Sequence, residues 1–284
     1  MQYQKLGKTD LKLSVIGFGG VVVMKEEQGE ADRMVAEAID DGITYFDVAP
    51  QYQDAQQRLG PALEQYRDGV TLACKTLERT AEGSRLELDD SLKKLRTDHF
   101  DLYQMHSLTT LEETKQALDP GGAIETFLEA KDSGKVRYIG ISAHSQEAAL
   151  LAISSGHFDS VLFPLNIVVI EQSNFGPAIL EAANERGMGI LALKAIARTR
   201  VEYKDRPYDK CWYAPEDRPE VAHLMLRYTL NLPGVAAALP PGDPGLYKMA
   251  VGFADQIDPL SDEELATLKD AVAQTEPLFP LQNA

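Results

Sequence analysis

The chain has 284 residues, 44% of them hydrophobic and 25% charged, with a formal net charge of −16. That is enough apolar material for a large core, and the charge works against nucleic acid and anionic membrane as partners. A small anionic cofactor stays compatible, because a few local donors suffice to hold a phosphate.

The N-terminal stretch is polar, without the apolar core of a secretory signal, and no run approaches the roughly 18 apolar residues of a spanning helix. Cys74 and Cys211 make neither a disulfide framework nor a metal-ligand spacing. A reducing cytoplasm is the expected compartment. Residues 3–12, turning at Gly7, read as a hairpin. Short, nearly continuous apolar runs at 15–18, 44–47, 71–75, 102–106, 137–142, 160–163, 189–193 and 235–239 read as strands buried on both faces. Helical patterns lie between them at 30–41, 86–95, 124–133, 147–155, 175–186 and 219–230. Three of these stop at or beside Gly134, Gly156 and Gly187. The connection 197–217 is rich in charge and aromatics (Tyr203, Tyr208, Trp212, Tyr213) and is expected to serve as a lid. Residues 261–275, opening Ser-Asp-Glu-Glu, read as an extra capped helix. Eight strand-then-helix units predict an α/β fold, a (β/α)8 TIM barrel with an N-terminal β-hairpin and an extra C-terminal helix. A single domain over 1–284 is expected.

Barrel enzymes work at the C-terminal ends of their strands. Four polar residues end the predicted strands: Asp47, Lys75, His106 and Ser142. Tyr52 follows Asp47 by five residues, in a loop off the same strand. A tyrosine, with an ordinary pKa of about 10, can donate a proton near neutral pH if an ammonium stabilises the phenolate left behind. Lys75 supplies such a charge, Asp47 can pair with Lys75, and His106 can hydrogen-bond a carbonyl oxygen. Together they suit an alkoxide forming as hydride reaches carbon. Lys75 read alone also allows a Schiff-base nucleophile.

Several stretches carry a family resemblance. They are Leu6-Gly-Lys-Thr-Asp-Leu-Lys-Leu-Ser-Val-Ile-Gly-Phe-Gly-Gly20, Gly42-Ile-Thr-Tyr-Phe-Asp-Val-Ala-Pro-Gln-Tyr52, Lys75-Thr, the run from Ser91 to His106, Gly134-Lys-Val-Arg-Tyr-Ile-Gly-Ile-Ser142 and Pro240-Pro-Gly242. In these the chain resembles the aldo-keto reductases over about its whole length. The resemblance implies a nicotinamide-dependent reductase of aldehydes or ketones. Tyr52 would be its acid, Lys75 the modulator, Asp47 the partner of Lys75 and His106 the carbonyl orienter. NADPH is the implied cofactor, with NADH as the alternative; the implied partner is a small carbonyl substrate, and both a monomer and a homo-oligomer stay open.

The cofactor contacts depart from the family pattern. Ser142 is followed by Ala143 and His144 where Ser-Asn is usual, Leu162 replaces a glutamine, and Leu193 replaces a stacking tyrosine. Asn166 fits further along, and Lys194, followed by Ala195, is placed to meet a cofactor phosphate. After Gly242 the run Asp-Pro-Gly-Leu-Tyr-Lys248 puts an acid where a 2′-phosphate would lie, with Lys248 as a substitute cation. Gly19, Gly20 and Val21 form the turn after the first strand, beside the cofactor. This Gly-Phe-Gly-Gly turn is no dinucleotide fingerprint, because the third glycine would fall on Val22. Met24, Tyr52, His106, His144 and Trp212 are the expected substrate wall, although His144 also reads as a cap for the helix after it. No metal site is expected, since no His-x-His pair occurs. Two other readings remain: a regulatory protein that holds cofactor and turns over slowly or not at all, and a Lys75 Schiff-base lyase.

Overall fold

The computed structural model describes residues 1–279; the 280–284 end of the expected domain lies outside the described residues. The chain opens with β1 (Tyr3–Lys5) and β2 (Lys12–Ser14), which pair antiparallel as the expected hairpin. The barrel strands follow: β3 (Phe18–Gly19), β4 (Tyr45–Asp47), β5 (Thr71–Thr76), β6 (Phe100–Leu108), β7 (Val136–Ala143), β8 (Ser160–Pro164) and β9 (Gly189–Leu193). A small antiparallel ribbon comes next, β10 (Ala197–Thr199) with β11 (Ala214–Pro215), and β12 (Val235–Leu239) is the last barrel strand.

Among the described residues, the eight strands β3 to β9 and β12 form one parallel sheet in chain order. The sheet closes on itself. Ala238 of β12 donates its N–H to Val15 O at 2.8 Å, and Gly17 N donates to Ala238 O at 2.9 Å. The expected first strand, 15–18, therefore does two jobs: its first part bridges to β12 and only its end ladders with β4. Closure removes both sheet edges, which would otherwise present unpaired N–H and C=O groups.

Side chains alternate along each strand, so residues two apart share a face. A lower inner layer of Tyr45, Ala73, Leu102, Leu162, Leu191 and Ala237 fills the barrel, with Leu6, Leu11 and Leu13 of the hairpin packed into the same cluster. One pleat higher stand Asp47, Lys75 and Gln104, from β4, β5 and β6. The helices pack outside, over Phe46, Cys74, Tyr103 and Ile141. The C-terminal helix Asp262–Val272 forms as read: Ser261 accepts from Glu264 N (3.2 Å) while the Glu264 side chain accepts from Ser261 N (2.8 Å). The long connection 197–217, expected as a lid, carries the β10–β11 ribbon. Buried Glu216 accepts from Arg218 at 2.8 Å and anchors the β10–β11 ribbon through its backbone N–H to Ile196 O. Among the described residues, no helix is long and apolar enough to cross a membrane.

Candidate active site

A cavity of about 520 Å³ opens at the C-terminal ends of the strands. Tyr45 and Asp47 share the inner face of β4, Lys75 follows from β5, and His106 ends the inner row of β6. Tyr52 sits in the turn after β4, held by its N–H to Ala49 O (3.1 Å) and by its carbonyl accepting from Ala55 N (2.9 Å) as the helix Ala55–Leu63 begins. Asp47, Tyr52, Lys75 and His106 all line the cavity.

Lys75 and Asp47 form a buried ion pair, each almost fully enclosed. Burial disfavours the Lys75 charge, but neighbouring Asp47 and Tyr52 outweigh it and hold the ammonium above its usual range. Lys75 Nζ stands 5.2 Å from the centre of the Tyr52 ring. Burial pushes the Tyr52 phenol up, and Lys75 pulls part of that back. His106 lies edge-on to Tyr52 with ring centres 5.8 Å apart. Burial, aided by the Lys75 charge, holds His106 well below the usual imidazole range, so its ring is neutral at pH 7. Its Nδ1 lies 3.0 Å from Gln51 Oε1, and Gln51 Nε2 donates to Glu87 Oε1 at 3.2 Å. That orientation leaves Nε2 as an acceptor. A ring that donates from Nε2 to a carbonyl needs the Gln51 amide turned over, so that its N–H meets Nδ1.

Of the residues read as cofactor or substrate contacts, Gly19, Val21, Ser142, Lys194, Gly242, His144 and Trp212 line the same cavity. Five do not. Gly20 is buried against Val48, and Met24 and Ala195 are buried in the core. Asn166 spends its amide on backbone, accepting from Val169 N at 3.0 Å and donating to Lys194 O at 2.8 Å. Lys248 pairs with Glu37 at 2.9 Å on the outside of the barrel. Asp243 caps the last barrel helix, Pro244–Gly252, accepting from Gly245 N (2.9 Å) and Leu246 N (3.1 Å). His144 is not the cap of the helix behind it. Ser145 has that position, and His144 instead bridges Ser107 Oγ at 3.0 Å and Lys194 Nζ at 3.1 Å. Burial and the adjacent Lys194 bring His144 down to about 3, and burial brings Lys194 down to about 8. Lys194 and Ser107 both carry positive φ, of 63° and 57°, a strained conformation for residues other than glycine.

Sequence reasoning did not single out four further groups at this mouth. Lys210 ties the long loop across it, donating to Val22 O (2.7 Å) and Glu26 Oε1 (2.6 Å). Arg200 lines the rim. Phe279 stacks on His144 with ring centres 5.7 Å apart. Gln51 orients His106. The Trp212 ring lies 6.5 Å from Tyr52, tilted by 30°. Cys211 also faces the cavity, but burial pushes its thiol up to about 11 and it donates to Tyr213 O, so it is no ready nucleophile.

The class the fold defines is the eight-stranded parallel (β/α)8 barrel, here with a buried carboxylate–ammonium pair beneath a tyrosine and a neutral histidine. The aldo/keto reductase family model matches residues 15–272, and the chain belongs to that family. It is similar to the aldo-keto reductase YhdN of Bacillus subtilis, 36% identical over 169 residues, which is 52% of this chain and 48% of YhdN. The chain therefore spans about half of YhdN's length. The uncharacterized oxidoreductase YqkF of the same organism is 26% identical over 270 residues, 84% of this chain and 86% of that protein. In fold it matches the aldo-keto reductase AKR11C1 of Bacillus halodurans with a TM-score of 0.76 at 24% identity, over 96% of each chain.

The family uses a nicotinamide dinucleotide, and the residues present suit one. Among the described residues, the Lys194 ammonium has no carboxylate partner, which suits an anionic diphosphate, and buried Ser142 faces the same cavity. Beyond Gly242, Asp243 occupies the first free amides of its helix, and Lys248 is engaged with Glu37.

Proposed function

We propose that the protein reduces an aldehyde or ketone to the corresponding alcohol with a nicotinamide cofactor, Tyr52 acting as general acid. The cofactor supplies hydride to the carbonyl carbon. Tyr52 gives its O–H proton to the carbonyl oxygen, and the phenolate that remains is stabilised by the Lys75 ammonium. Asp47 keeps Lys75 charged and fixed. His106, with Nε2 protonated, donates to the carbonyl oxygen and orients it. His144 and Trp212 flank the substrate, while Ser142 and Lys194 would hold the nicotinamide and diphosphate portions. The observation that carries this reading is the buried Asp47–Lys75 pair lying against the Tyr52 ring. A Schiff base at Lys75 would need a neutral amine, and Asp47 opposes that.

The resemblance implies NADPH. The acidic cap at Asp243 and the diverted Lys248 support NADH instead, because a carboxylate at that place disfavours a 2′-phosphate and suits a 2′-hydroxyl. Both cysteines are free and buried, in keeping with a reducing cytoplasm. The test is steady-state oxidation of NADH and of NADPH, side by side, with a panel of neutral and charged aldehydes. Turnover with NADH at the lower KM is expected. Retention of cofactor with no turnover on the whole panel would leave only the cofactor-holding alternative.

A further inference from the structure

Asp47 has two oxygens and only one of them serves Lys75. Its Oδ2 accepts from Tyr45 O–H at 3.1 Å and from Gln104 Nε2 at 3.0 Å. Both donors are fully buried inside the barrel. Tyr45 rises from the layer below on the same strand, two residues before Asp47. Gln104 comes from β6, in register with Lys75 on β5.

The barrel makes room for both. A Cβ on Gly17 would come within 2.6 Å of the Tyr45 ring, and one on Gly140 would come within 3.3 Å of Gln104 Cγ and 2.4 Å of Ser160 Oγ. An ordinary side chain at either position would displace its neighbour. Gln104 also bears a cost that packing alone does not explain: its buried Oε1 has no hydrogen-bond partner among the described residues. A leucine or methionine would fill the space without that penalty. The amide is therefore best accounted for by the bond its other end makes.

We propose that Tyr45 and Gln104 are positioning residues for the proton donor, holding the second oxygen of Asp47 so that Lys75 keeps its field on Tyr52. This rests on Tyr52 as the general acid. The physical reasoning is electrostatic. Two neutral donors at Oδ2 share the carboxylate's negative charge, so less of it is concentrated on Lys75. The charged or titratable groups around Tyr52 are Lys75, Asp47 and His106, with Cys74 on the outer face of the same strand as Lys75 and Tyr45 in the layer below. Of the donors to Oδ2, Tyr45 stays protonated, since burial and the adjacent Asp47 push its phenol well above the usual range.

The test uses Tyr45→Phe, Gln104→Met and the double variant in the full chain, with Tyr52→Phe as the reference. The readout is the pH profile of kcat for alcohol oxidation, where Tyr52 must be ionised to accept the proton. Losing a donor makes the phenolate harder to form, so the rising limb moves to higher pH. A shift of roughly half a unit is expected for each single variant, and more for the double. At neutral pH kcat falls about three- to tenfold, while the KM for cofactor stays within twofold. Thermal unfolding checks that the variants fold. Folded variants with an unmoved limb overturn the proposal. Tyr52→Phe separates the two ideas. If it is inactive while the limb of the other variants stays put, only the positioning role fails. If it stays active, the reading of Tyr52 itself fails.

Discussion

Lys75 Nζ stands 5.2 Å from the centre of the Tyr52 ring while paired with Asp47 on its other side. The ammonium thus lies between the Asp47 carboxylate and the Tyr52 phenol, which the proposed mechanism ionises. Lys75→Met is expected to lower kcat by at least a hundredfold, since phenolate stabilisation disappears. It also strands Asp47 in the core, at a cost of about 3–5 kcal/mol. Lys75→Arg keeps the charge but not the position. Chemical denaturation alongside single-turnover kinetics separates the two losses; a Lys75→Met variant that folds and turns over normally contradicts the account.

Lys194 predicts a pH dependence for cofactor binding. In the free protein burial holds it down to about 8, below its value of about 10.4 in an unfolded chain. The folded state therefore binds fewer protons than the unfolded one between those values, so Lys194 costs stability below pH 8 and that cost fades as pH rises toward 10.4. A bound diphosphate reverses the preference by favouring the ammonium. Affinity is then full below about pH 8 and declines as pH rises through it. Fluorescence titration of NADH from pH 6.5 to 9.5 reads this; Lys194→Met should bind about tenfold more weakly and with a flat profile.

The strap at Lys210 predicts a kinetic effect. Its two bonds, to Val22 O and Glu26, tie the 197–217 segment to the turn after β3 across the mouth. Lys210→Met should raise the dissociation rate of cofactor several-fold with less change in association. Stopped-flow displacement measures both, and an unchanged off-rate would show that the loop is no barrier to release.

At the opposite end of the barrel, buried Asp101 forms an ion pair with Arg67 at 3.0 Å and accepts from Arg137 at 2.7 Å and from Leu72 N at 3.0 Å. This end is far from the cavity, so its charges serve stability rather than chemistry. Asp101→Ala should cost about 3 kcal/mol or more, because two guanidinium groups lose their shared partner. The kcat of the folded fraction should be unchanged, as measured at a temperature well below the lowered Tm.

The barrel was legible because its signals are local. Apolar strands, glycine stops and the polar residues at strand ends follow from alternation and capping, and β9 and β12 were read to the residue. Tyr45 and Gln104 were legible in principle: each lies two residues before a strand-end residue, Asp47 and His106, and so shares its inner face. Reading only strand ends passed over them. Lys210 was not legible, since its two bonds depend on how a long connection folds back over the barrel. His144 was ambiguous for another reason: both it and Ser145 precede a helix, and only the backbone decides which one caps. Lys248 has the expected charge, but its helix turns it toward Glu37.

The most direct test of the central claim is a single-turnover experiment on Tyr52→Phe. Protein saturated with reduced cofactor is mixed with an aldehyde that the wild type turns over, and loss of nicotinamide absorbance is followed. The account predicts cofactor binding within a few-fold of wild type and a hydride-transfer rate lower by about 10³-fold or more, since the proton donor is gone while the cofactor site is kept. A Tyr52→Phe variant that transfers hydride at a rate near wild type would contradict it.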